Sequence, residues 1–340
     1  VSEGTFPAAF LVGPRRLEIR ELPVPQPGDG ELVLRVEAAT TCGTDLKVYR
    51  RGGHPRMLTV PGRFGHEMAG TVAAVGRGCR RFREGDRVVV LNSASCGECA
   101  ACRAGRENLC RDLVYLNGAY GRYVLVPGRF VRRSTYAAGA LPTEVAAMTE
   151  PLACVLHGLE RVAMPAGGAA LVVGLGPIGL MFVAVLARRG LRVVAADPNP
   201  SRLETARRLG AAAAVAVDRG GSWARELEEL PGLVVEATGS PEGWSAALSA
   251  GAPGGDVLLF GGCAPGTTVP LDAHALHYGE LRVVGAYHHR PATARAALEL
   301  LAGEPGVLTP LLCGERPLAG LEAALQAMGR REALKVVIRP

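Results

Sequence analysis

Two patterns of apolar and polar positions divide the chain. Up to about residue 90, apolar residues alternate with polar ones in short runs broken by Gly and Pro, as in Leu17-Glu-Ile-Arg-Glu-Leu22 and Glu31-Leu-Val-Leu-Arg-Val-Glu37. Gly70-Thr-Val-Ala-Ala-Val75 and Asp86-Arg-Val-Val-Val90 continue the pattern. A period of two predicts half-buried strands, hence an all-β, barrel-like region whose chemistry sits on its loops. From Pro151 the apolar runs are unbroken and alternate with helical spacing. Strands are expected at Ala170–Val173, Arg192–Ala196, Ala214–Val217, Leu233–Glu236, Val257–Phe260 and Leu281–Val284. Helices are expected around Ile178 to Arg189, Arg202 to Leu209, Trp223 to Leu230 and Pro241 to Ala250. That alternation predicts a doubly wound parallel sheet. Two more helices (Ala292 to Leu301, Leu318 to Met328) and a strand (Ala333 to Ile338) exceed what the sheet needs and are assigned to the first domain. The expected division is therefore 1–150 completed by 289–340, and 151–288, in an α/β two-domain chain.

Composition narrows the class. A length of 340 residues is comfortable for two cores. The net charge of +6 is scattered in short Arg groups, so no basic face for nucleic acid is expected. Lysine is nearly absent: Lys47 and Lys335 are the only two. The uncharged stretch Met164–Ala187 is long enough to suggest a membrane span, but Gly and Pro cut it into turn, strand, turn and helix. No secretory signal is expected from Val1-Ser-Glu-Gly-Thr-Phe6. Nine cysteines without such a signal argue for thiols and metal ligands in a reducing cytoplasm rather than for disulfides.

Four stretches carry the chemistry. Thr41-Cys42-Gly43-Thr44-Asp45 offers a thiolate and a hydroxyl, and Gly65-His66-Glu67 an imidazole beside a carboxylate. Cys, His and carboxylate are the ligand types of a catalytic zinc that keeps one position open. Cys96-x2-Cys99-x2-Cys102-x7-Cys110 places four soft ligands in fifteen residues. Four thiolates close a tetrahedral Zn2+ to water, so this loop predicts a structural zinc. Leu171-Val-Val-Gly174-Leu-Gly176-Pro177-Ile178-Gly179 runs from strand through a Gly-x-Gly-x-x-Gly turn into a helix. That is the turn that brings a pyrophosphate to a helix N-terminus. Asp197, at the end of the next strand, suits the ribose hydroxyls and would repel a 2′-phosphate, which favours NAD over NADP. Arg202 complicates that choice, since it could stack on adenine or accept a phosphate.

With these stretches in this order, the chain resembles the zinc-dependent medium-chain dehydrogenase/reductases from end to end. The resemblance is closest to their polyol (sorbitol-type) and threonine dehydrogenase branch. It implies a GroES-like catalytic domain, an inserted Rossmann cofactor domain, two Zn2+ per chain and a homodimer or homotetramer. It also implies hydride transfer between a small secondary alcohol (polyol, sugar or cyclitol) and NAD(P), giving a ketone. Thr149-Glu150-Pro151 carries Glu150 where classical alcohol dehydrogenases have a Cys ligand. The catalytic zinc would then draw on Cys42, His66 and some combination of Glu67 and Glu150. Thr44 matches the hydroxyl that relays the alcohol proton. Lys47 stands where many relatives have the next relay His, and its role is open between substrate contact, proton acceptor and exposed bystander. His54 is a candidate substitute base or a loop histidine. Thr238 and Phe260-Gly261-Gly262 are expected beside the nicotinamide. Tyr287 and His288 are candidates for the cleft, while His277, His288 and His289 fit surface or interface positions better. The rival readings are an amino-alcohol (threonine-type) dehydrogenase and, in another class, a non-catalytic nucleotide-binding protein.

Overall fold

The computed structural model describes residues 4–164, 168–218, 223 and 230–340. Most of the helix expected around Trp223 to Leu230, and the turn at Pro165, lie outside the described residues. The chain forms two compact units: one runs up to Ala153 and resumes over His289–Pro340, the other is Cys154–His288. The chain passes from one to the other within the helix Thr149–Leu159.

The first unit is built mostly on antiparallel strands, with Leu312–Pro317 and Lys335–Arg339 paired in parallel. Leu32–Thr40 lies at the centre of its largest sheet, paired with Met68–Val75, Tyr123–Val126 and the C-terminal strand Lys335–Arg339. That last strand is inserted between Leu32–Thr40 and Leu312–Pro317, so it is interior to the sheet. Val337 and Ile338 are fully buried, and burial of each such side chain stabilises by about 1.5–3 kcal/mol. Leu321, Leu325 and Met328 of the helix Leu321–Gly329 join the same core.

One element departs from the all-β expectation. Gly43–Arg51 is a helix, stapled to the C-terminal helix by Tyr49, whose hydroxyl donates to Glu322 Oε1 at 2.5 Å. Its start is a capping box with Cys42 in the N-cap position: the Thr44 N–H donates to Cys42 Sγ at 3.4 Å. In return the Cys42 N–H donates to Asp45 Oδ2 at 3.0 Å. Nine residues are too few for a visible helical period beside so many strands. The short strand Leu312–Pro317, mostly exposed, also gives no alternating signal.

The second unit carries six parallel strands in the order Ala213–Ala216, Arg192–Asp197, Ala169–Val173, Leu233–Glu236, Asp256–Leu259, Arg282–Gly285. The order reverses at the first strand, which is the Rossmann arrangement. The helix Pro177–Arg188 is buried along Gly179–Leu186, which explains its uncharged sequence. No helix among the described residues is long and apolar enough to cross a membrane.

Candidate active site

Asp45 is the pivot of the Cys42 region. It is 1% exposed although it belongs to a first helical turn, because its carboxylate faces inward. Asp45 Oδ1 lies 2.9 Å from His66 Nδ1, and Oδ2 accepts from the Tyr120 hydroxyl at 2.6 Å as well as from the Cys42 N–H. Burial alone would lower the His66 pKa. The Asp45 charge and hydrogen bond outweigh it, and the imidazole stands well above its ordinary value. A carboxylate on Nδ1 fixes the ring's orientation and leaves Nε2 as the nitrogen a metal could take. Gly65 makes the approach possible: its φ is +86°, and a Cβ there would collide with the Tyr120 ring.

Glu67 is fully buried, and its two oxygens differ. Oε2 accepts from Lys335 Nζ at 2.6 Å and from the Thr40 hydroxyl. Oε1 has no hydrogen-bond partner among the described residues. Leaving a buried carboxylate oxygen without a donor is costly, so the site is shaped for a group that supplies a positive charge there. One donor atom each from Cys42, His66 and Glu67 lies within 4.8 Å of the others, a spacing one ion with bonds of about 2.0–2.3 Å can draw together. The residues therefore fit a zinc. Lys335 is itself buried. Burial would lower its pKa, but Glu67 and then Cys42 keep it above the ordinary lysine value.

The remaining candidates spread out. Thr44 is half-buried on the first turn of the helix, and Lys47, one turn further on, is exposed. Glu150 is buried, with Oε1 3.9 Å from His289 Nε2; it is not in the group that converges with Cys42 and His66. His289, expected at a surface or interface, is buried with Nε2 3.1 Å from Asn92 Oδ1. It stands two residues before the helix Pro291–Gly303, which belongs to the first unit. His54 Nδ1 accepts the N–H groups of Arg56 and Met57, so its ring is part of a tight turn. Sequence reasoning missed Asp45, Tyr120, Thr40 and Lys335. A Cys-x-x-Asp capping pattern could have flagged the first, and the near absence of lysine the last.

Cys96, Cys99, Cys102 and Cys110 turn their sulfurs to one point, with Sγ–Sγ distances of 3.5 to 3.9 Å. Tetrahedral Zn2+ with bonds of about 2.3 Å separates its sulfurs by about 3.8 Å. The donor set fits a closed structural zinc, and no two of the four are bonded as a disulfide. Backbone N–H groups of Cys102 and then Arg111 bring the Cys99 thiol down to about 6.

In the second unit, Gly174 has φ +89°, and a Cβ there would strike Thr238. Gly176 caps the helix Pro177–Arg188 without a side-chain bond, which leaves the first-turn N–H groups open to an anion. A Cβ on Gly179 would overlap the Gly174 carbonyl. Asp197 ends the second strand, buried. Its Oδ2 accepts from the Leu175 N–H at 2.8 Å, its Oδ1 accepts from the Asn199 N–H at 2.8 Å, and Arg202 lies 3.8 Å from Oδ2. Arg202 thus leans on the carboxylate. Thr238 and Phe260-Gly261-Gly262 follow the strands Leu233–Glu236 and Asp256–Leu259.

Comparison with known proteins agrees with this chemistry. Residues 28–135 match the alcohol dehydrogenase GroES-like domain, and residues 177–303 the zinc-binding dehydrogenase domain. The chain is 36% identical to D-altritol 5-dehydrogenase of Agrobacterium fabrum, over 89% of this chain and 90% of that one. It is 30% identical to sorbitol dehydrogenase of Bacillus subtilis (98% and 97%) and 31% identical to L-threonine 3-dehydrogenase of Bacillus velezensis (95% and 95%). Among solved structures, a zinc-binding dehydrogenase from Sinorhizobium meliloti 1021 bound to NADP superposes with a TM-score of 0.91 at 27% identity, covering 99% and 100% of the two chains.

Proposed function

The chain belongs to the zinc-binding dehydrogenases with a GroES-like domain, and from that premise we propose that it oxidises a secondary alcohol of a polyol or sugar alcohol to the ketone, with NAD as hydride acceptor. The observation that carries the reading is Glu67: one oxygen is tied down by Lys335 and Thr40, the other has no hydrogen-bond partner among the described residues, and the carboxylate converges with Cys42 and His66. Cys42, His66 and Glu67 would hold the catalytic zinc, with Glu150 close in sequence to the domain junction as the alternative carboxylate. Cys96, Cys99, Cys102 and Cys110 would hold a second, structural zinc.

A zinc held there would supply a Lewis acid that lowers the pKa of the alcohol, and a bound dinucleotide would supply the hydride acceptor. This chain's own residues do the rest. Asp45 holds the His66 ring in one orientation. Thr44 carries the alcohol proton outward, and the exposure of Lys47 supports delivery from there to water. Asp197 favours NAD because its charge opposes a 2′-phosphate. The polyol class is supported by the altritol and sorbitol relatives and by Glu150 in place of Cys. The threonine relative supports an amino alcohol as the second reading. The family's pattern supports a homodimer or homotetramer, and the richness in cysteine, nine in all, supports a reducing cytoplasm.

The test is an NAD+ and NADP+ reduction screen over polyols, sugar acids and amino alcohols, with zinc counted on the same sample. Two zincs per chain and turnover on polyols with NAD+ are expected. Cys42→Ser should lose one zinc and all turnover while binding NADH as before; unchanged turnover in that variant defeats the metal mechanism.

A further inference from the structure

Glu236 ends the strand Leu233–Glu236, fully buried, and neither the zinc sites nor the Gly-x-Gly-x-x-Gly turn accounts for it. Among the described residues its carboxylate forms no ion pair with Lys or Arg. Oε1 accepts from the N–H of Thr238 at 2.6 Å, the N–H of Gly239 at 2.9 Å and the Thr238 hydroxyl, while Oε2 accepts from the N–H of Gly261 at 3.2 Å. A buried charge without a counterion is tolerated only when hydrogen bonds replace its hydration, and here strand-end backbone does so. Burial raises the Glu236 pKa, and the four donors offset that rise only in part.

The donors belong to two separate loops. Thr238 and Gly239 follow the fourth strand of the sheet order, and Gly261 follows the fifth. The carboxylate therefore ties two strand ends together. The fit leaves no slack: a Cβ on Gly261 would lie 2.6 Å from Glu236 Oε2, and one on Gly243 2.9 Å from Oε1. Gly261 is held at its carbonyl too, since Trp244 Nε1 donates to it at 2.7 Å. Thr238 in turn packs its methyl where a Cβ of Gly174 would be, which links the clamp to the pyrophosphate turn. In a sheet of this order the first three strands serve one mononucleotide and the last three the other. Strands four and five lie in the half opposite Asp197, the nicotinamide half.

We propose that Glu236 is the positioning residue of the nicotinamide subsite, setting the Thr238 and Gly261 loops at the separation the ring requires. The proposal rests on the dinucleotide reading of the Gly174 turn. Glu236→Gln tests it selectively. The amide oxygen can keep the three Oε1 bonds, but its NH2 then faces the Gly261 N–H, donor against donor. Titrations use NADH, which carries the ring, and ADP-ribose, which lacks it. NADH affinity should fall about tenfold or more while ADP-ribose affinity stays within twofold. Equal weakening of both, or of neither, overturns the proposal. Failure of the unaltered protein to bind ADP-ribose defeats the dinucleotide reading instead. If Glu236→Gln does not fold, amide hydrogen exchange on the unaltered, cofactor-free protein decides. Thr238, Gly239 and Gly261 must exchange as slowly as strand amides, and fast exchange at any of them refutes the clamp.

Discussion

Lys335 and Glu67 form a pair at 2.6 Å with 1% and 0% side-chain exposure, a setting in which removal of one partner strands the other. Lys335→Met keeps the stem and deletes the charge. In zinc-free protein the variant should lose about 3–5 kcal/mol, the usual cost of leaving a buried charge uncompensated. With zinc loaded the loss should be clearly smaller, because the ion neutralises the same carboxylate. Denaturant unfolding of both forms checks this, and equal losses would falsify the idea that metal and Lys335 share Glu67. His66 makes a second prediction. Its folded pKa is raised, so the His66–Asp45 pair stabilises the zinc-free protein fully below about pH 6.5. That stability is lost as pH rises through the folded value. Zinc needs the neutral ring, so its binding must expel the proton and its affinity must rise with pH. Calorimetry of zinc binding at neutral pH in buffers of different ionisation enthalpy should show net proton release, and a buffer-independent heat would contradict it.

At the scale of elements, legibility followed how local each constraint is. The six parallel strands and the glycine turn are contiguous runs whose apolar content and spacing are set within a few residues, and the Rossmann sheet could be read directly. The four-cysteine loop is equally local. The helix Gly43–Arg51 was hidden because its stability comes from a cap and from Tyr49 reaching Glu322, 273 residues away. The support of the candidate metal site was hidden for the same reason. Cys42, His66 and Glu67 stand in recognisable stretches, but the Lys335 that holds Glu67 lies 268 residues on. Tyr120 carries no sequence signal, since its importance arises only from the space that Gly65 leaves for its ring. Glu236 reads as the last residue of a strand, and its partners become apparent only when two strand ends are side by side.

At the scale of the molecule, the connectivity makes the two units unequal. Residues 154–288 are continuous and close a six-stranded sheet with a core of their own. The first unit is discontinuous, and its interior strand Lys335–Arg339 arrives last. Residues 1–153 alone would expose the edge of Leu32–Thr40 where Val337 and Ile338 pair. They would also leave Glu67 without Lys335 and the shared core without Leu321, Leu325 and Met328. An interior strand edge with a buried, unpaired carboxylate behind it favours aggregation over folding. Expressed separately, 154–288 should therefore be soluble, melt cooperatively and bind ADP-ribose, while 1–153 should be insoluble or lack cooperative melting. Supplying 289–340 by a short linker from residue 153 should restore a folded first unit that takes up two zincs. A soluble, zinc-loaded 1–153 fragment would show that the C-terminal strand is dispensable, and with it the role assigned to Lys335.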